Sequence, residues 1–526
     1  MPGREISRIF EPEISEATRH YRGMFDRRSP EQLRTLAHIK RFMERLVGDQ
    51  TFRDGLAEHA DDPKCVLDRH GIDIDATAAL PLWRGSYLRY RKTAECAQWP
   101  LAVLWDEYID EMLHHRDMLR DAGDMSRSNP RFHDWRERQI RRCSSELGGT
   151  ADAVTHPVLA FELSEGCTVG CWFCGLSADR YAGHFAYTTE NAELWQGVLR
   201  AANDLFGAAA QTGFCYWATD PSDNPDYDRF LSDYYSLTAA LPQTTTAAPL
   251  KNEALTRRVL ALFDKHRTVT NRFSVLTSKH LNQIHAAFTA EELMGVELVM
   301  QNKEALTAKA DAGRARDRKA KLRAANKSDS ISLVQHDHTT IACVSGFLIS
   351  MPLKRIQLVT PVPGSERWPL GYRIVAECFF TTAEEFRAGV ATMIDDVMSD
   401  SLPADRPLRF RRDLVYESQD DHFTLKSRSL EYRVRDVLVP ISIGALIGRG
   451  ENTAAQVMDQ VTPDLAADGE AMIHAAILLD DLRNAGLLEE DLDDRFAGRR
   501  NEGLEDRAAR TKRTIARMEA LDAASA

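Results

Sequence analysis

From residue 157 onward, short apolar runs alternate with amphipathic stretches, and that alternation limits the fold more than any single residue does. "PVLAFELS", "TGFCYWATD", "NRFSVLT" and "GVELVMQN" read as strands. "NAELWQGVLRAANDLF", "DYDRFLSDYYSLTAAL" and "NEALTRRVLALFDKH" stand among them, with apolar residues at helical spacing. A strand, a helix and another strand form the unit that right-handed crossovers join into a parallel sheet. The expectation is an α/β fold built as a partial or full (β/α) barrel. Its active site would lie on loops at the carboxyl ends of the strands.

The rest of the chain divides around that segment. At 526 residues it is too long for one ordinary domain. Residues 1–150 read as a helical domain, with Phe42, Leu46, Phe52 and Leu56 on one stripe that breaks at Gly48 and Asp49. Residues 151–400 hold the barrel and an extension. A basic, Ala-rich helix over 303–327 reads as a solvated face, and "TTIACVSGFLISM", "RIQLVTPV" and "RIVAECFF" as β-rich runs. Over 401–490, "HFTLKSRSLEYRVRD" predicts strands and three helical stretches follow, as in a winged-helix-like module; residues 491–526 read as a charged helical tail.

A net charge of -12 argues against a general nucleic-acid partner. The first thirty residues carry charge where a signal peptide needs an apolar core, and no apolar run spans a bilayer. Nine cysteines, an odd number, make no disulfide framework, so the expectation is a cytoplasmic protein with reduced thiols.

Three of those cysteines crowd into "SEGCTVGCWFCGLS": Cys167, Cys171 and Cys174, spaced C-x3-C-x2-C. Thiolates at that spacing bind zinc or an iron–sulfur cluster. A structural zinc site closes with four protein ligands. The nearest further candidates, His184 and Cys215, stand in no paired ligand arrangement. Three thiolates on a [4Fe–4S] cube would leave one iron open.

The spacing, with Phe173 directly before the last cysteine and a strand leading into the loop, resembles the radical S-adenosylmethionine (SAM) superfamily. The resemblance implies a [4Fe–4S] cluster on Cys167, Cys171 and Cys174 with SAM chelated at the open iron. It also implies an external electron donor and reductive cleavage of SAM to a 5′-deoxyadenosyl radical. The family's second strand ends in a Gly-Gly-Glu-Pro-like turn that receives the SAM amino group. Ala218, Thr219 and Asp220, followed by Pro221, stand there, and the shorter Asp shifts load to backbone carbonyls. Arg272 and Ser274 fall where the fourth strand meets the SAM carboxylate or ribose, and Gln301 and Asn302 where the fifth meets ribose or adenine. For these four, an ordinary polar residue at a strand end is the competing reading.

Longer blocks, "ELSEGCTVGCWFCGLSA", "YWATDPSDNPDY", "ELVMQNKEAL" and "TIACVSGFL…WPLGY", resemble the radical SAM peptide epimerases that mature proteusin-type ribosomal peptides. That likeness implies a precursor peptide, leader plus core, as substrate and L-to-D inversion as the reaction. The adenosyl radical removes Hα, and a cysteine thiol returns a hydrogen atom from the opposite face. Cys343 is favoured as donor and Cys378 competes with it, although a strand cysteine is more often a small core residue. His336, Asp337 and His338 read as a loop or as a polar wall for the substrate backbone. "ALIGRGENTAAQVMDQV…AMIHAAILLDDLRNAGLL" resembles the helical half of a peptide-recognition element, in which a leader adds as a strand to a sheet edge. A radical SAM C-methylase or cross-linking enzyme, and a zinc-stapled scaffold without enzymatic activity, are the alternatives.

Overall fold

The computed structural model describes residues 14–306, 311–325, 339–435, 439, 441–463, 469–490 and 493–500. His336, Asp337 and His338 lie outside the described residues, as do residues 501–526 of the charged tail.

The N-terminal helices are α1 (Glu16–Asp26), α2 (Pro30–Gly48), α3 (Gln50–Glu58), α4 (Lys64–Arg69), α5 (Leu80–Trp83) and α6 (Pro100–Asp121). Ser29 and Gln32 close a capping box at the start of α2, and Pro30 sits where a missing N–H costs nothing. The stripe breaks at Gly48 and Asp49 because Asp49 caps the next helix, its carboxylate accepting from the Phe52 amide at 3.2 Å. Phe42 and Phe52 then meet edge to face with centroids 5.6 Å apart. Helix α7 (Pro130–Leu147) departs from the expected helical domain, since its Phe132 and Trp135 are buried in the central core.

That centre is a mixed α/β body. Strand β1 (Leu159–Glu162) leads into a hairpin of β2 (Ser164–Glu165) and β3 (Gly183–His184), followed by α8 (Thr189–Phe206) and α9 (Tyr227–Thr238). Next come β4 (Thr245–Thr246), α10 (Glu253–His266), β5 (Asn271–Val275), α11 (Ser278–Ala287), β6 (Val296–Met300) and α12 (Gly313–Ala324). Strands β7 (Gly346–Ser350), β8 (Arg355–Pro361) and β9 (Tyr372–Phe379) and helix α13 (Ala383–Val397) complete it.

Strands β4, β5 and β6 pair in parallel, as do β1 and β7, whereas β8 and β9 add antiparallel. Phe214 links the two sheets through parallel bridges to Ala160 and Gln243, so "TGFCYWATD" contributes bridging residues and no named strand. The spatial order is β9-β8-β7-β1, then Phe214, then β4-β5-β6. No pairing among the described residues joins β6 to β9, so the ladder is open and forms no closed barrel.

Alternation along the strands sorts the two faces. Leu159 and Phe161 pack outward with Trp195 and Phe230 of the helices, while Ala160 belongs to an inner cluster with Trp217, Leu348, Val359 and Tyr372. Gly346 makes the close approach of β7 to β1 feasible, because a Cβ there would lie 2.1 Å from the Val158 carbonyl oxygen. Gly346→Ala forces that backbone apart, and a loss of about 1–3 kcal/mol is expected. Thermal unfolding followed by circular dichroism checks it; an unchanged midpoint refutes it.

The C-terminal module has its own core, including Phe423, Leu425, Ile447, Val457 and Leu479. Strands β10 (Val415–Ser418), β11 (Phe423–Lys426) and β12 (Glu431–Val434) form an antiparallel sheet, followed by α14 (Ser442–Arg449), α15 (Ala454–Val461) and α16 (Gly469–Asn484). The module docks on α7, where Arg138 pairs with Glu490 at 3.2 Å and Arg411 donates to the Ser145 hydroxyl at 2.9 Å. No described helix is long and apolar enough to cross a membrane.

Candidate functional site

The three-cysteine loop leaves the carboxyl end of β1, and its own backbone fixes it. Gly166 is left-handed at φ +72°, and a Cβ there would fall 2.3 Å from the Arg180 carbonyl oxygen. The Cys167 amide donates to Asp179 at 2.9 Å. Thr168 donates its amide and hydroxyl to the buried Asp223 carboxylate at 2.9 and 2.6 Å, and Lys251 neutralises that carboxylate from 2.5 Å.

Helix α12 closes the far side of the loop. The Arg314 amide donates to the Cys174 carbonyl at 3.0 Å, and Gly313, at φ +54°, leaves no room for a Cβ against Gly175. Arg318 stacks 4.4 Å over Trp172, which meets Phe173 edge to face. The basic stretch read as a solvated face therefore presents its start to the cysteines.

Cys167, Cys171 and Cys174 are free, half-buried thiols. Burial pushes Cys167 up to about 12 and Cys171 up to about 11. Thiols in that environment become thiolates only when cationic metal compensates the lost hydration. The Val169 and Ala178 amides already donate to the Cys167 and Cys174 sulfurs, each at 3.4 Å, and the Arg314 charge favours the Cys171 thiolate. Among the described residues no group of three His, Cys, Asp or Glu side chains could hold one metal ion.

Beside the loop opens a cavity of about 750 Å³. Tyr108 and Met112 of α6 line one side, Tyr216, Gln243, Arg272 and Glu297 the other, and Leu176, Ile341 and Cys343 also contribute. Its polar groups form a chain: Tyr216 donates to Gln243 Oε1 at 3.0 Å, Arg272 donates to the same oxygen at 3.2 Å, and Arg272 Nε meets Glu297 at 2.8 Å. Burial holds the Cys343 thiol up at about 12, against the lowering influence of Arg272. It remains S–H at neutral pH.

The remaining sequence candidates separate. Arg272 faces the cavity and is ion-paired with Glu297. Ser274 shares its half-exposed face of β5, between the buried Phe273 and Val275. Ala218 is left-handed at φ +49°, and the buried Thr219 hydroxyl has no hydrogen-bond partner among the described residues. Asp220 accepts from the Ser222 amide and hydroxyl at 2.9 and 2.7 Å and from Thr246 and the Ala247 amide, both at 2.8 Å. Its carboxylate is fully engaged in tying this turn to the end of β4.

Gln301 continues β6, its amide donating to Val275 at 2.8 Å. Asn302 turns away to the Gly48 carbonyl at 2.7 Å. Cys378 lies on the outer face of β9, its Sγ so close to α13 that a Cβ on Gly389 would stand 2.7 Å from it. Cys215 is buried in the central core.

The chain is 59% identical over 488 residues to the protein described as uncharacterized protein y4wI of Sinorhizobium fredii, covering 93% of this chain and 94% of that one. The chain belongs to the y4wI family. The family "Protein y4wI C-terminal domain" also matches residues 408–486, from just before β10 through α16. No solved structure matches.

In this y4wI relative, sequence reasoning missed Tyr216, Gln243 and Glu297 in the cavity and Asp223 under the cysteine loop. Glu297 carried a signal, as the polar member of an alternating strand beside an Arg at the matching position of β5. Asp223 carried none. Asp223→Asn keeps its shape but removes the charge that Thr168 and Lys251 converge on; if the loop carries iron, as proposed below, iron retained after desalting should drop severalfold with little change in unfolding temperature. Full iron retention contradicts the tether.

Proposed function

We propose that the protein is a radical SAM enzyme that converts L- to D-residues in a ribosomally made precursor peptide. The observation that carries this reading is one cavity with the three-cysteine loop beside it and a protonated thiol, Cys343, on its wall. When bound and reduced, a [4Fe–4S] cluster with SAM supplies an adenosyl radical that takes a hydrogen atom from a substrate Cα.

Cys343 then gives its S–H hydrogen to the opposite face of the planar Cα radical. The S–H bond breaks, the new Cα–H bond has D configuration, and a sulfur radical remains. One electron from the external low-potential donor and one solvent proton restore the thiol. Arg272, Gln243 and Tyr216 offer hydrogen-bonding groups to an extended backbone in the same cavity. Phe173, half-buried within the loop, and the Ala218–Thr219 turn serve as SAM contacts, Asp220 holding that turn, with Ser274 and Gln301 towards the ends of β5 and β6 and Asn302 outside them.

The leader of the precursor adds to the edge strand β12, which has a partner on one side only among the described residues. The reaction belongs in the cytoplasm, where thiols stay reduced, with neither nucleic acid nor membrane as partner.

Anaerobically reconstituted protein given SAM and dithionite should contain iron and sulfide and release 5′-deoxyadenosine. With a precursor peptide in D2O, each inverted residue should carry one deuterium at Cα. Zinc without iron or sulfide would support the scaffold alternative, and a product gaining CH2 or losing two hydrogens would support methylation or cross-linking.

A further inference from the structure

Residues 493–500, "DDRFAGRR", belong to the segment expected as a charged helical tail, yet they run back from the C-terminal module onto the inner face of β9. Asp494 accepts from Arg367 Nε at 2.7 Å and pairs with Arg412 of the module at 2.8 Å. Phe496 packs against the inner cluster of Trp217 and Tyr372, which Cys343 and Ala218 also touch. Arg499 reaches Glu377 of β9 at 3.1 Å, where Gln357 also donates at 2.6 Å. Arg500 pairs at 2.6 Å with Asp317 on α12, the helix whose start abuts Cys174.

Four side chains in seven residues thus engage the module, the loop after β8, strand β9 and helix α12. The ties are nevertheless light. The segment has no helix or strand, and the Gly498 amide donates to the Arg367 carbonyl at 2.6 Å. Partly exposed ion pairs contribute little each. A segment held this way sits at the low-stability end of a fold and opens first.

We infer that residues 493–500 occupy the path of the substrate peptide, and that an extended peptide displaces them. This rests on the peptide-modifying reading above. The path joins the module to the cluster beside Cys343, the route a tethered core segment must take. The displacing segment carries a carboxylate for Arg367 and Arg412, and two positions later an apolar side chain for the Trp217 and Tyr372 cluster, as Asp494 and Phe496 do.

A labelled synthetic peptide, DLDDRFAGRR, is titrated by fluorescence anisotropy into the full-length protein and into its Phe496→Ala/Arg499→Ala variant. With the chain's own strap weakened, the variant should bind the peptide at least about tenfold tighter, because the tethered competitor is lost. Should that variant misfold, Asp494→Ala/Arg500→Ala loosens the strap through exposed side chains alone and should act in the same direction. A peptide with Ala in place of its Asp494 and Phe496 equivalents should not bind. Equal affinity for both proteins, or for both peptides, overturns the inference. The assay needs neither cluster nor SAM, so its failure is separate from failure to release 5′-deoxyadenosine.

Discussion

In Cys343→Ala protein, formation of D-residues should fall to the level of an enzyme-free control while 5′-deoxyadenosine should still form. The split follows from position. Cys343 lines the cavity with Arg272 and Tyr216, whereas the cysteine loop keeps its own supports in Thr168, Asp223 and Arg314. Removing one sulfur from the wall leaves that loop untouched. Serine at 343 should fare no better, because its O–H hydrogen is not transferable to a carbon radical. Burial holds the Cys343 thiol at about 12, so inversion should show no alkaline limb from this group through the neutral and mildly alkaline range. Cys378→Ala is the control. Its sulfur packs on α13, away from the cavity that Cys343 lines, so turnover should persist with a modest loss of stability, about 1 kcal/mol or more. Mass spectrometry and chiral amino-acid analysis of the product decide between the two. Loss of inversion in Cys378→Ala but not in Cys343→Ala would reverse the assignment.

What the sequence made legible was local. The alternation in "NRFSVLT" and "GVELVMQN" and the three C-terminal helices depend on neighbours in the chain, and the structure has an element at each. What it hid depends on partners far away. Asp220 looks available for a ligand until Ser222, Thr246 and Ala247 are seen to converge on it. Arg272 reads as a strand-end cation, yet Glu297 and Gln243 reach it from adjacent strands. Helix α13 and strand β10 escaped because neither carries a diagnostic motif; α12 was expected as a helix, but with no apolar face in its sequence its contact with the cysteine loop was not. Residues 493–500 were expected within a charged helical tail, and their extended course depends on distant partners: Glu377, Asp317, Arg367 and Arg412.

Cys171→Ala should reduce iron and sulfide to trace levels and abolish 5′-deoxyadenosine release, yet shift the unfolding temperature little. The two halves of that expectation discriminate between metal roles. A zinc staple contributes folding free energy directly, and small domains built on one unfold when a ligand is lost. Here the loop is secured without metal: Cys167 to Asp179, Thr168 to Asp223, Arg314 to Cys174, and the pairing of β2 with β3. The body beneath it is closed by Trp195, Phe161 and Phe230, none of which depends on the cysteines. Loss of metal from this loop should therefore cost chemistry more than folding if the loop holds the proposed cluster with a vacant corner. Iron analysis and thermal unfolding of the same preparation test both halves. A collapse of the unfolding temperature in Cys171→Ala would make the loop a staple, and with it Cys343 would revert to a core cysteine beside an unused cavity.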